Sequence, residues 1–493
     1  MKQLTVIARD DNVAVALCPI TKGEKLETTV PLRALDDIPA GHKVALTDIA
    51  EGQKVIKYGF PIGVATQAIP AGSHVHTHNV RTLLSGTIEY RYDPQPAAPR
   101  AKVESRTFMG YRRSDGRVGV RNEIWILPTV GCVNGQARTL ERRAQALVKD
   151  GLDAVYAFPH PYGCSQMGED QENTRRILAD LAMHPNCGGV LLLGLGCENS
   201  GIDSILAYME GFDRTRVRTL VCQRSEDELK EGLALLSELA ALASKDKREP
   251  CPASELTIGL KCGGSDGFSG LTANPVIGGL SDLLIAQGGS TILTEVPEMF
   301  GAETLLMARC ENKALFDKTV HLINDFKDYF SRYGQTIYEN PSPGNKAGGI
   351  TTLEDKALGC TQKSGFAPVQ DVLQYGERVR VKGLSLLSSP GNDLVASTAL
   401  AAAGAQIVLF STGRGTPFGS PVPTVKISSN TALWERKRNW IDFDAGVLLK
   451  DDDKDALAQK LMDYCLSVAS GEKVQSEVNG YHDMAIFKTG VTL

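Results

Sequence analysis

From about residue 106 onward, short continuous apolar runs alternate with segments whose apolar residues recur at helical spacing. The runs include "NEIWILPTVGC", "GLDAVYAFPHPYGC" and "CGGVLLLGLGC", and the segments between them include "NGQARTLERRAQALVKD" and "ENTRRILADLAMHP". Strands that are apolar on both faces lie in the middle of a parallel sheet covered by helices. This alternation predicts βαβ units and restricts this part of the chain to the α/β class.

The second half of the chain carries a separate set of apolar strands. They are "ELTIGLKCGG", "GGSTILTEVPE", "LSLLSSPGND" and "AQIVLFSTGRG", each ending in glycine or a polar turn. The charged stretch "KDKREPCPASE" separates the two sets. We therefore predict one α/β domain over 106–250 and a second over 251–493, both built on mainly parallel sheets.

The first 92 residues have a different pattern. The β-rich segments "NVAVAL", "HKVAL", "QKVIKYG" and "IGVATQAI" are separated by Gly, Pro and Asp, without a helical stripe. This predicts a small all-β domain over 1–92. The stretch "YDPQPAAPRAKVES" carries three prolines and few apolar side chains, which predicts a linker over 93–105.

Length and charge exclude several classes of protein. A chain of 493 residues is too long for one hydrophobic core. Its net charge is −5 without a long basic run, so nucleic acid and anionic membranes are not expected partners. We find no apolar run of about 18 residues and no signal-peptide pattern, so neither a membrane span nor export is expected. Eleven cysteines in such a chain indicate a reducing compartment, and we expect a cytoplasmic location.

Four apolar strands finish on a cysteine in a glycine turn, and these are Cys132, Cys164, Cys197 and Cys262. Ligands of open α/β sheets bind beyond the carboxyl ends of the strands, and a neighbouring glycine lets a ligand approach. Because thiolates suit iron, zinc or an iron–sulfur cluster, we predict four metal ligands, with packing beneath loops as the alternative. We interpret several other cysteines as small buried hydrophobes: Cys18, Cys187, Cys222, Cys310, Cys360 and Cys465.

The segment "SHVHTHNV" places three of the eight histidines at alternate positions. In an extended strand, His74, His76 and His78 project from one face and offer neutral nitrogens to iron, zinc, copper or nickel. The alternative is an exposed polar strand without a ligand. We predict His74 and His76 as metal ligands, and His42 in "AGHKVAL" is a further candidate. The sequence leaves open whether the histidines and the cysteines share one site.

Polar turns follow several strands of the second α/β domain. The turn "CGGSDGFSGLTANP" offers backbone N–H groups that suit a carboxylate or a phosphate. Arg414 lies between glycines in "FSTGRGTPFG", where a guanidinium could hold a carboxylate through two parallel hydrogen bonds. Glu295 and Glu298 in "LTEVPEMFG" stand at a strand end that suits a general base or a metal ligand. Lys346 lies in the Pro- and Gly-rich stretch "ENPSPGNKAGG".

Taken in order, these stretches resemble the altronate/galactarate dehydratase family over essentially the whole chain. The resemblance rests on "GHKVALTDIA", "VIKYGFPIG", "HVHTHN", "GVRNEIWILPTVGCVNG", "PYGCSQ", "GLGCEN", "CGGSDGFSGLTANP", "EVPEMFGAE", "NPSPGNKAGGITTLEDK" and "FSTGRGTP". It implies an N-terminal SAF (β-clip) domain and an iron-dependent, cytoplasmic hydro-lyase of hexuronate catabolism. The implied reaction converts D-altronate to 2-dehydro-3-deoxy-D-gluconate and water, and the histidine row favours altronate over galactarate.

Removing the proton beside a carboxylate creates an enolate, and a metal ion supplies the positive charge that it needs. We predict three candidate bases for the C2 proton: His160, Lys346 and Glu295. The predicted substrate-binding residues are Ser265, Asp266, Asn274 and Arg414. The iron is either a mononuclear Fe2+ on the histidines or an iron–sulfur cluster on three of the strand-end cysteines, and the sequence leaves both open.

Other functions are compatible with parts of this pattern. A related dehydratase or lyase could use the same machinery on galactarate or sulfolactate. A non-catalytic regulator that binds a sugar acid or a metal is a second alternative, although no DNA-reading motif is present. A nicotinamide dehydrogenase is a third alternative, but this chain lacks the GxGxxG motif and the following acidic residue that such an enzyme is expected to have. The expected partner is a small-molecule sugar acid, and we expect a homo-oligomer.

Overall fold

The structure is a computed structural model that describes residues 2–28, 31–95, 103–149, 151–450 and 453–493. The predicted fold class is confirmed, because an N-terminal β domain precedes α/β domains with a large parallel sheet. Part of the predicted linker, 96–102, lies outside the described residues. No helix within the described ranges is long and apolar enough to cross a membrane.

The N-terminal domain is built from short antiparallel strands. They are β1 (Leu4–Thr5), β2 (Val13–Ala16), β3 (Lys25–Leu26), β4 (Leu32–Arg33), β5 (Lys43–Ala45), β6 (Lys54–Lys57), β7 (Phe60–Ala65), β8 (His74–Val75) and β9 (Val80–Arg81). The sheets have the orders β1-β2-β5-β8, β6-β7-β9 and β3-β4. Strand β8 ends at Val75, so the predicted extended strand through His78 is wrong. A turn carries His76 and His78 instead.

The next region contains a four-stranded parallel sheet in the order β13-β12-β14-β15. Its strands and their neighbours are β10 (Thr107–Arg112), β11 (Val118–Gly119), β12 (Glu123–Pro128), β13 (Ala154–Ala157), β14 (Cys187–Gly194), β15 (Val217–Val221) and β16 (Glu249–Pro252). The helices are α1 (Asn134–Ala144), α2 (Gly168–Ala182), α3 (Ile202–Leu206) and α4 (Glu228–Ala243). Every residue of β12 and β14 is buried, as expected of continuous apolar runs in a covered parallel sheet. Strands β11, β10 and β16 form a small antiparallel sheet.

A seven-stranded parallel sheet dominates the C-terminal region, in the order β19-β20-β18-β17-β21-β22-β23. The strands are β17 (Thr257–Cys262), β18 (Ser290–Leu293), β19 (Val369–Leu373), β20 (Gly383–Leu387), β21 (Ile407–Thr412), β22 (Thr424–Ser428) and β23 (Phe443–Asp444). The helices are α5 (Ala273–Ala286), α6 (Glu303–Met307), α7 (Lys313–Arg332), α8 (Pro343–Ala347), α9 (Leu353–Cys360), α10 (Asp393–Ala402), α11 (Thr431–Arg436), α12 (Lys454–Ala469) and α13 (Gln475–Val478). Strands β18, β19 and β20 lie on one side of β17 and strands β21, β22 and β23 lie on the other, so the strand order reverses between β17 and β21.

One buried hydrophobic cluster contains residues of both parallel sheets. Trp125 and Leu127 of the smaller sheet lie in the same buried cluster as Ile292 and Val408 of the larger sheet. Leu400 of α10 and the apolar face of α2 belong to that cluster as well. Because apolar side chains of both sheets are buried together, the two regions form one packed body.

Candidate functional site

Strands β17 and β21 meet where the strand order of the large sheet reverses, and open α/β sheets bind ligands beyond such a point. The turns that follow the two strands are joined by hydrogen bonds. The backbone N–H groups of Gly413 and Arg414 both donate to the Gly264 carbonyl at 3.0 Å. Two of the predicted polar turns therefore form one surface at the carboxyl end of the sheet.

Residues 339–352, here called the bridging segment, connect this surface to the N-terminal domain. Asn345 donates from Nδ2 to the Ser265 carbonyl at 2.8 Å, and Arg414 donates from Nη1 to the Gly344 carbonyl at 3.4 Å. On the other side, Lys43 Nζ donates to the Gly349 carbonyl at 2.7 Å. The segment thus brings the predicted Ser265, Lys346 and Arg414 near one another.

Four histidines form a cluster beside the bridging segment: His42, His74, His76 and His78. His42 Nδ1 lies 3.0 Å from His74 Nε2, and His76 Nδ1 lies 3.1 Å from Thr351 Oγ1. Burial lowers the pKa of His74 to about 4 and that of His76 to about 3. His74 and His76 are therefore neutral at pH 7, which is the form that binds a metal or accepts a proton.

A buried ion pair network fastens the N-terminal domain to α9. Asp355 accepts hydrogen bonds from Lys43 Nζ at 2.8 Å and from Lys57 Nζ at 2.9 Å. Burial alone raises the pKa of Asp355, but the two ammonium groups outweigh that effect and hold it well below the usual range. The carboxylate is charged at neutral pH and pairs both lysines.

Three side chains that could hold a metal meet behind the polar turns. Cys262 is the last residue of β17, Cys360 is the last residue of α9, and Glu298 lies in the helical turn after β18. The two sulfur atoms are 3.5 Å apart, and Glu298 Oε2 lies 3.0 Å from Cys262 Sγ and 3.3 Å from Cys360 Sγ. In the part of the chain that the structure describes, no other set of three His, Cys, Asp or Glu donors lies within 4.8 Å. We call these residues the buried cysteine–glutamate group.

Lysines compensate the charge of the buried cysteine–glutamate group. Lys356 Nζ donates to Glu298 Oε1 at 2.7 Å. Burial raises the pKa of Glu298, but the ammonium groups of Lys356 and Lys363 lower it to about 2. A hydrogen bond from Cys360 lowers the pKa of Cys262 to about 6, so Cys262 is the more acidic thiol of the pair. At pH 7 the group offers a carboxylate and a thiolate.

Glu295, a predicted base, lies deeper in the protein. Its backbone has φ 67°, in the left-handed region, and its Oε2 accepts a hydrogen bond from the Cys262 backbone N–H at 2.8 Å. Lys261 Nζ lies 3.3 Å from Oε1. Burial raises the pKa of Glu295 well above the usual range. The carboxyl supports the end of β17 from behind.

The predicted substrate ligands of the turn after β17 differ in their surroundings. Asp266 accepts hydrogen bonds from Ser269, Ser429 and other neighbours, and these bonds shape the turn. Asn274 donates to the Gly359 carbonyl and accepts from Ser411, so its amide is occupied within the protein. The Ser265 hydroxyl is buried without a hydrogen-bond partner among the described residues. Ser265 is therefore the member of this set with free bonding capacity.

A narrow crevice runs between the N-terminal domain and these turns. Its lining includes Lys57, Ser265, Asp355, Lys356 and Cys360. Arg414 is exposed and Lys346 is half-buried beyond it. The buried cysteine–glutamate group thus reaches the crevice through Cys360, while the cationic side chains lie nearer the surface.

The other three predicted cysteine ligands lie on the smaller sheet. Cys132, Cys164 and Cys197 are exposed, whereas Cys262 is buried. The structure therefore divides the predicted set of four into three exposed thiols and one thiol in the buried cysteine–glutamate group.

His160, a predicted base, lies among the loops of the smaller sheet. Its Nε2 is 2.7 Å from the Pro128 carbonyl, and its Nδ1 accepts a hydrogen bond from the Tyr162 backbone N–H at 3.2 Å. Burial lowers the pKa of His160 to about 4. Both ring nitrogens are occupied by backbone groups, so neither is free to take a proton from a substrate.

Sequence reasoning missed part of the site. Cys360 is buried, as predicted, but its sulfur also contacts Cys262 and Glu298. Glu298 was noted at a strand end but was not selected as a site residue. Its contact with Cys360 joins segments 62 positions apart in the chain, and no local motif signals such a contact.

Fold and site together define a multidomain α/β protein with a donor-rich site at the switch point of its large sheet, covered by a β domain. Three family models match the chain: the altronate/galactarate dehydratase SAF domain at residues 2–83, the D-galactarate dehydratase/altronate hydrolase second domain at 110–244, and the D-galactarate/altronate dehydratase C-terminal domain at 253–492. The chain belongs to the D-galactarate/altronate dehydratase family, as its resemblance predicted.

Similar proteins cover the whole chain. An altronate dehydratase of Bacillus subtilis is 55% identical over 100% of both chains. An altronate dehydratase of Escherichia coli is 54% identical over 98% of both chains. A galactarate dehydratase (L-threo-forming) of Escherichia coli is 34% identical over 97% of this chain and 95% of its own.

Proposed function

We propose that this chain is an altronate dehydratase. As a hydro-lyase, it removes the C2 proton and the C3 hydroxyl of D-altronate and yields 2-dehydro-3-deoxy-D-gluconate and water. The observation that carries the proposal is the identity of 54% and 55% to two altronate dehydratases over nearly the full length of each chain. The lower identity of 34% to a galactarate dehydratase favours altronate as the substrate.

We further propose that Fe2+ binds at the buried cysteine–glutamate group. Two thiolates on one tetrahedral ion lie about 3.8 Å apart, given metal–sulfur bonds of about 2.3 Å. The separation of 3.5 Å between Cys262 Sγ and Cys360 Sγ is close to that requirement, and Glu298 adds an oxygen donor. An ion held there by Cys262, Cys360 and Glu298 would supply the positive charge that an enolate and a departing hydroxyl group need.

The surface side of the bridging segment suits the substrate carboxylate. Arg414 Nη1 donates to the carbonyl of Gly344, two residues before Lys346, and a guanidinium can bind a carboxylate through two hydrogen bonds. The unpartnered Ser265 hydroxyl is suited to a hydroxyl group of the sugar acid. Asp266 and Asn274 act by holding the turn in shape, because their polar atoms are already bonded within the protein.

We assign the base for the C2 proton to the histidine cluster. Burial lowers the pKa values of His42 and His74, so both imidazoles are neutral at pH 7, and the cluster contacts the bridging segment through His42 Nε2 and the Ala347 carbonyl at 3.3 Å. Glu295 and His160 are engaged with the backbone elsewhere. Eleven free cysteines support a reducing, cytoplasmic location.

Substrate assays test this function. The full chain is prepared without oxygen and supplied with Fe2+, and keto acid formation is measured from D-altronate, galactarate and sulfolactate. We expect D-altronate to have the highest kcat/KM. A higher kcat/KM for galactarate or sulfolactate would assign the chain to that substrate, and tight altronate binding without product would indicate a binding protein.

A variant pair locates the substrate carboxylate. Arg414→Gln removes a charged hydrogen-bond donor and should lower kcat/KM for altronate roughly tenfold to a hundredfold, given about 1.5–3 kcal/mol for such a bond. Arg143→Gln, at an exposed position on α1, is the control and should leave kcat/KM unchanged. Equal values for both variants would remove Arg414 from the site.

A further inference from the structure

Three exposed cysteines converge at one edge of the smaller sheet. Strands β13, β12 and β14 are neighbours in that order, and their carboxyl ends lead to Cys164, Cys132 and Cys197. Adjacent strands are spaced about 4.8 Å apart, so the outer two of the three strands lie about 10 Å apart. Successive βα loops therefore deliver three thiols to one face of the protein.

Hydrogen bonds hold the three loops together. The Gly131 N–H donates to the Tyr162 carbonyl and the Ser200 N–H donates to the Gly163 carbonyl, both at 2.9 Å. Cys164 Sγ lies 3.5 Å from Asn199 Oδ1. Gly163 has φ +100°, and a Cβ there would collide with the Thr129 carbonyl. Glycine permits this close approach of the Cys164 loop to the end of β12.

Two helices begin close to these thiols in the chain. Helix α1 begins two residues after Cys132, and α2 begins four residues after Cys164. The N-terminus of a helix carries partial positive charge. Arg175 donates to the Asn199 carbonyl at 2.7 Å and adds a guanidinium at the rim.

The spacing of the thiols excludes a single shared ion in this arrangement. Two thiolates on one tetrahedral ion lie about 3.8 Å apart. The only described donors that meet three at a time within 4.8 Å are those of the buried cysteine–glutamate group. At least two of the three exposed sulfur atoms therefore lie more than 4.8 Å apart, which is compatible with cysteines that bind different irons of one cluster.

We propose that Cys132, Cys164 and Cys197 bind a four-iron iron–sulfur cluster. Each thiol loses one proton to solvent, and each sulfur forms one bond to an iron of the assembled cluster. The fourth iron has no cysteine ligand and is open to an oxygen ligand from solvent or a small molecule. This site is separate from the buried cysteine–glutamate group, so it does not depend on the proposed reaction.

Cys222 provides a matched control. It follows β15, the fourth strand of the same sheet, and so has the same place in the topology. Its side chain is half-buried against the apolar cluster that contains Leu220 and Leu236. Burial raises the pKa of Cys222 to about 11, which keeps this thiol protonated. Cys222 thus has the same strand-end position as the three exposed cysteines but lies in a more apolar environment.

The test uses the full chain, produced and purified without oxygen. Iron, acid-labile sulfide and the visible absorption of iron–sulfur bonds are measured for the wild type and for single Cys→Ser variants. We expect Cys132→Ser, Cys164→Ser and Cys197→Ser to lose the labile sulfide and the visible band, and Cys222→Ser to retain both. A wild type without labile sulfide, or equal loss in Cys222→Ser, would overturn the proposal.

A second measurement does not depend on the folding of the variants. The wild type is alkylated before and after treatment with an iron chelator, and the modified cysteines are identified by mass spectrometry. We expect Cys132, Cys164 and Cys197 to become reactive only after chelation. Equal labelling in both samples contradicts the proposal.

The two proposals can fail independently. If protein without labile sulfide dehydrates altronate at full rate, the cluster proposal is wrong and the proposed reaction is supported. If protein that contains the cluster leaves altronate unchanged, the proposed reaction is wrong and the cluster proposal is supported.

Discussion

The chain contains two groups of strand-end cysteines that look alike in sequence and differ in environment. Cys132, Cys164 and Cys197 follow strands of the smaller sheet and are exposed. Cys262 ends a strand of the larger sheet, is buried, and pairs with Cys360 and Glu298. All four strand-end cysteines lie beside glycine, so the local motif does not determine which thiols reach solvent.

The segments that cover the strand ends determine whether a strand-end thiol is buried or exposed. The bridging segment, α9 and the N-terminal domain lie over the end of β17, and buried lysines accompany them. Because Cys262 and Glu298 are buried beside lysines, removal of a single charge from this group lowers the free energy of unfolding strongly. At the smaller sheet, the positions of the three exposed thiols are set by the loops that carry them.

The largest effect should come from breaking the buried network at its carboxylate. Glu298→Gln leaves the Lys356 ammonium buried without its anionic partner, and the free energy of unfolding should fall by about 3–5 kcal/mol. Urea denaturation measures the change. The control Glu238→Gln removes a partner of Arg218 in an exposed pair and should cost at most about 1 kcal/mol. Similar losses would mean that the two environments do not differ in energy.

A smaller effect should separate the thiols themselves. Cys262→Ser replaces an acidic thiol by a hydroxyl that stays protonated, so the buried lysines lose a negative neighbour. We expect the free energy of unfolding to fall by about 1–3 kcal/mol, whereas Cys197→Ser should stay within about 0.5 kcal/mol of the wild type. Thermal and urea unfolding of metal-free protein provide the comparison. Equal changes would contradict the division into buried and exposed groups.

A pH dependence of stability should arise in the N-terminal domain, which covers the buried cysteine–glutamate group. The folded-state pKa values of His74 and His76, about 4 and about 3, lie below the usual value of about 6.5. The unfolded chain therefore takes up protons first as the pH falls. The stabilising contribution is complete above about pH 6.5 and is lost as the pH falls towards 4.

Urea midpoints at pH 7.5 and pH 5 measure this loss in metal-free protein. The double variant with His74→Asn and His76→Asn should show a weaker decrease between the two pH values. Replacement of exposed His321 by Asn is the control and should leave the decrease unchanged. An unaltered decrease in the double variant would show that other groups cause it.

Much of the fold could be predicted because its signals are local. The buried strands β12 and β14 were predicted from continuous apolar runs, and α1 and α2 from helical spacing. The strand through His78 was wrong because alternation of three histidines does not distinguish a strand from a turn that Asn79 stabilises. The imidazoles cluster anyway, since the turn brings them near His42.

The site was less predictable because it is assembled from distant segments. Ser265, Lys346 and Arg414 stood in recognisable polar turns, and the structure brings those turns together. Cys360 ends a buried helix whose sequence gives no sign of a thiol partner. Its contacts with Cys262 and Glu298 depend on tertiary structure that brings the end of α9 to the end of β17.

The central claim is that dehydration of altronate depends on a metal ion held by this chain. The most direct test measures metal content and altronate turnover on the same samples during stepwise removal of metal by a chelator. We predict that turnover falls in proportion to bound iron and returns when Fe2+ is added. Full turnover in a sample shown to contain no metal would contradict the account.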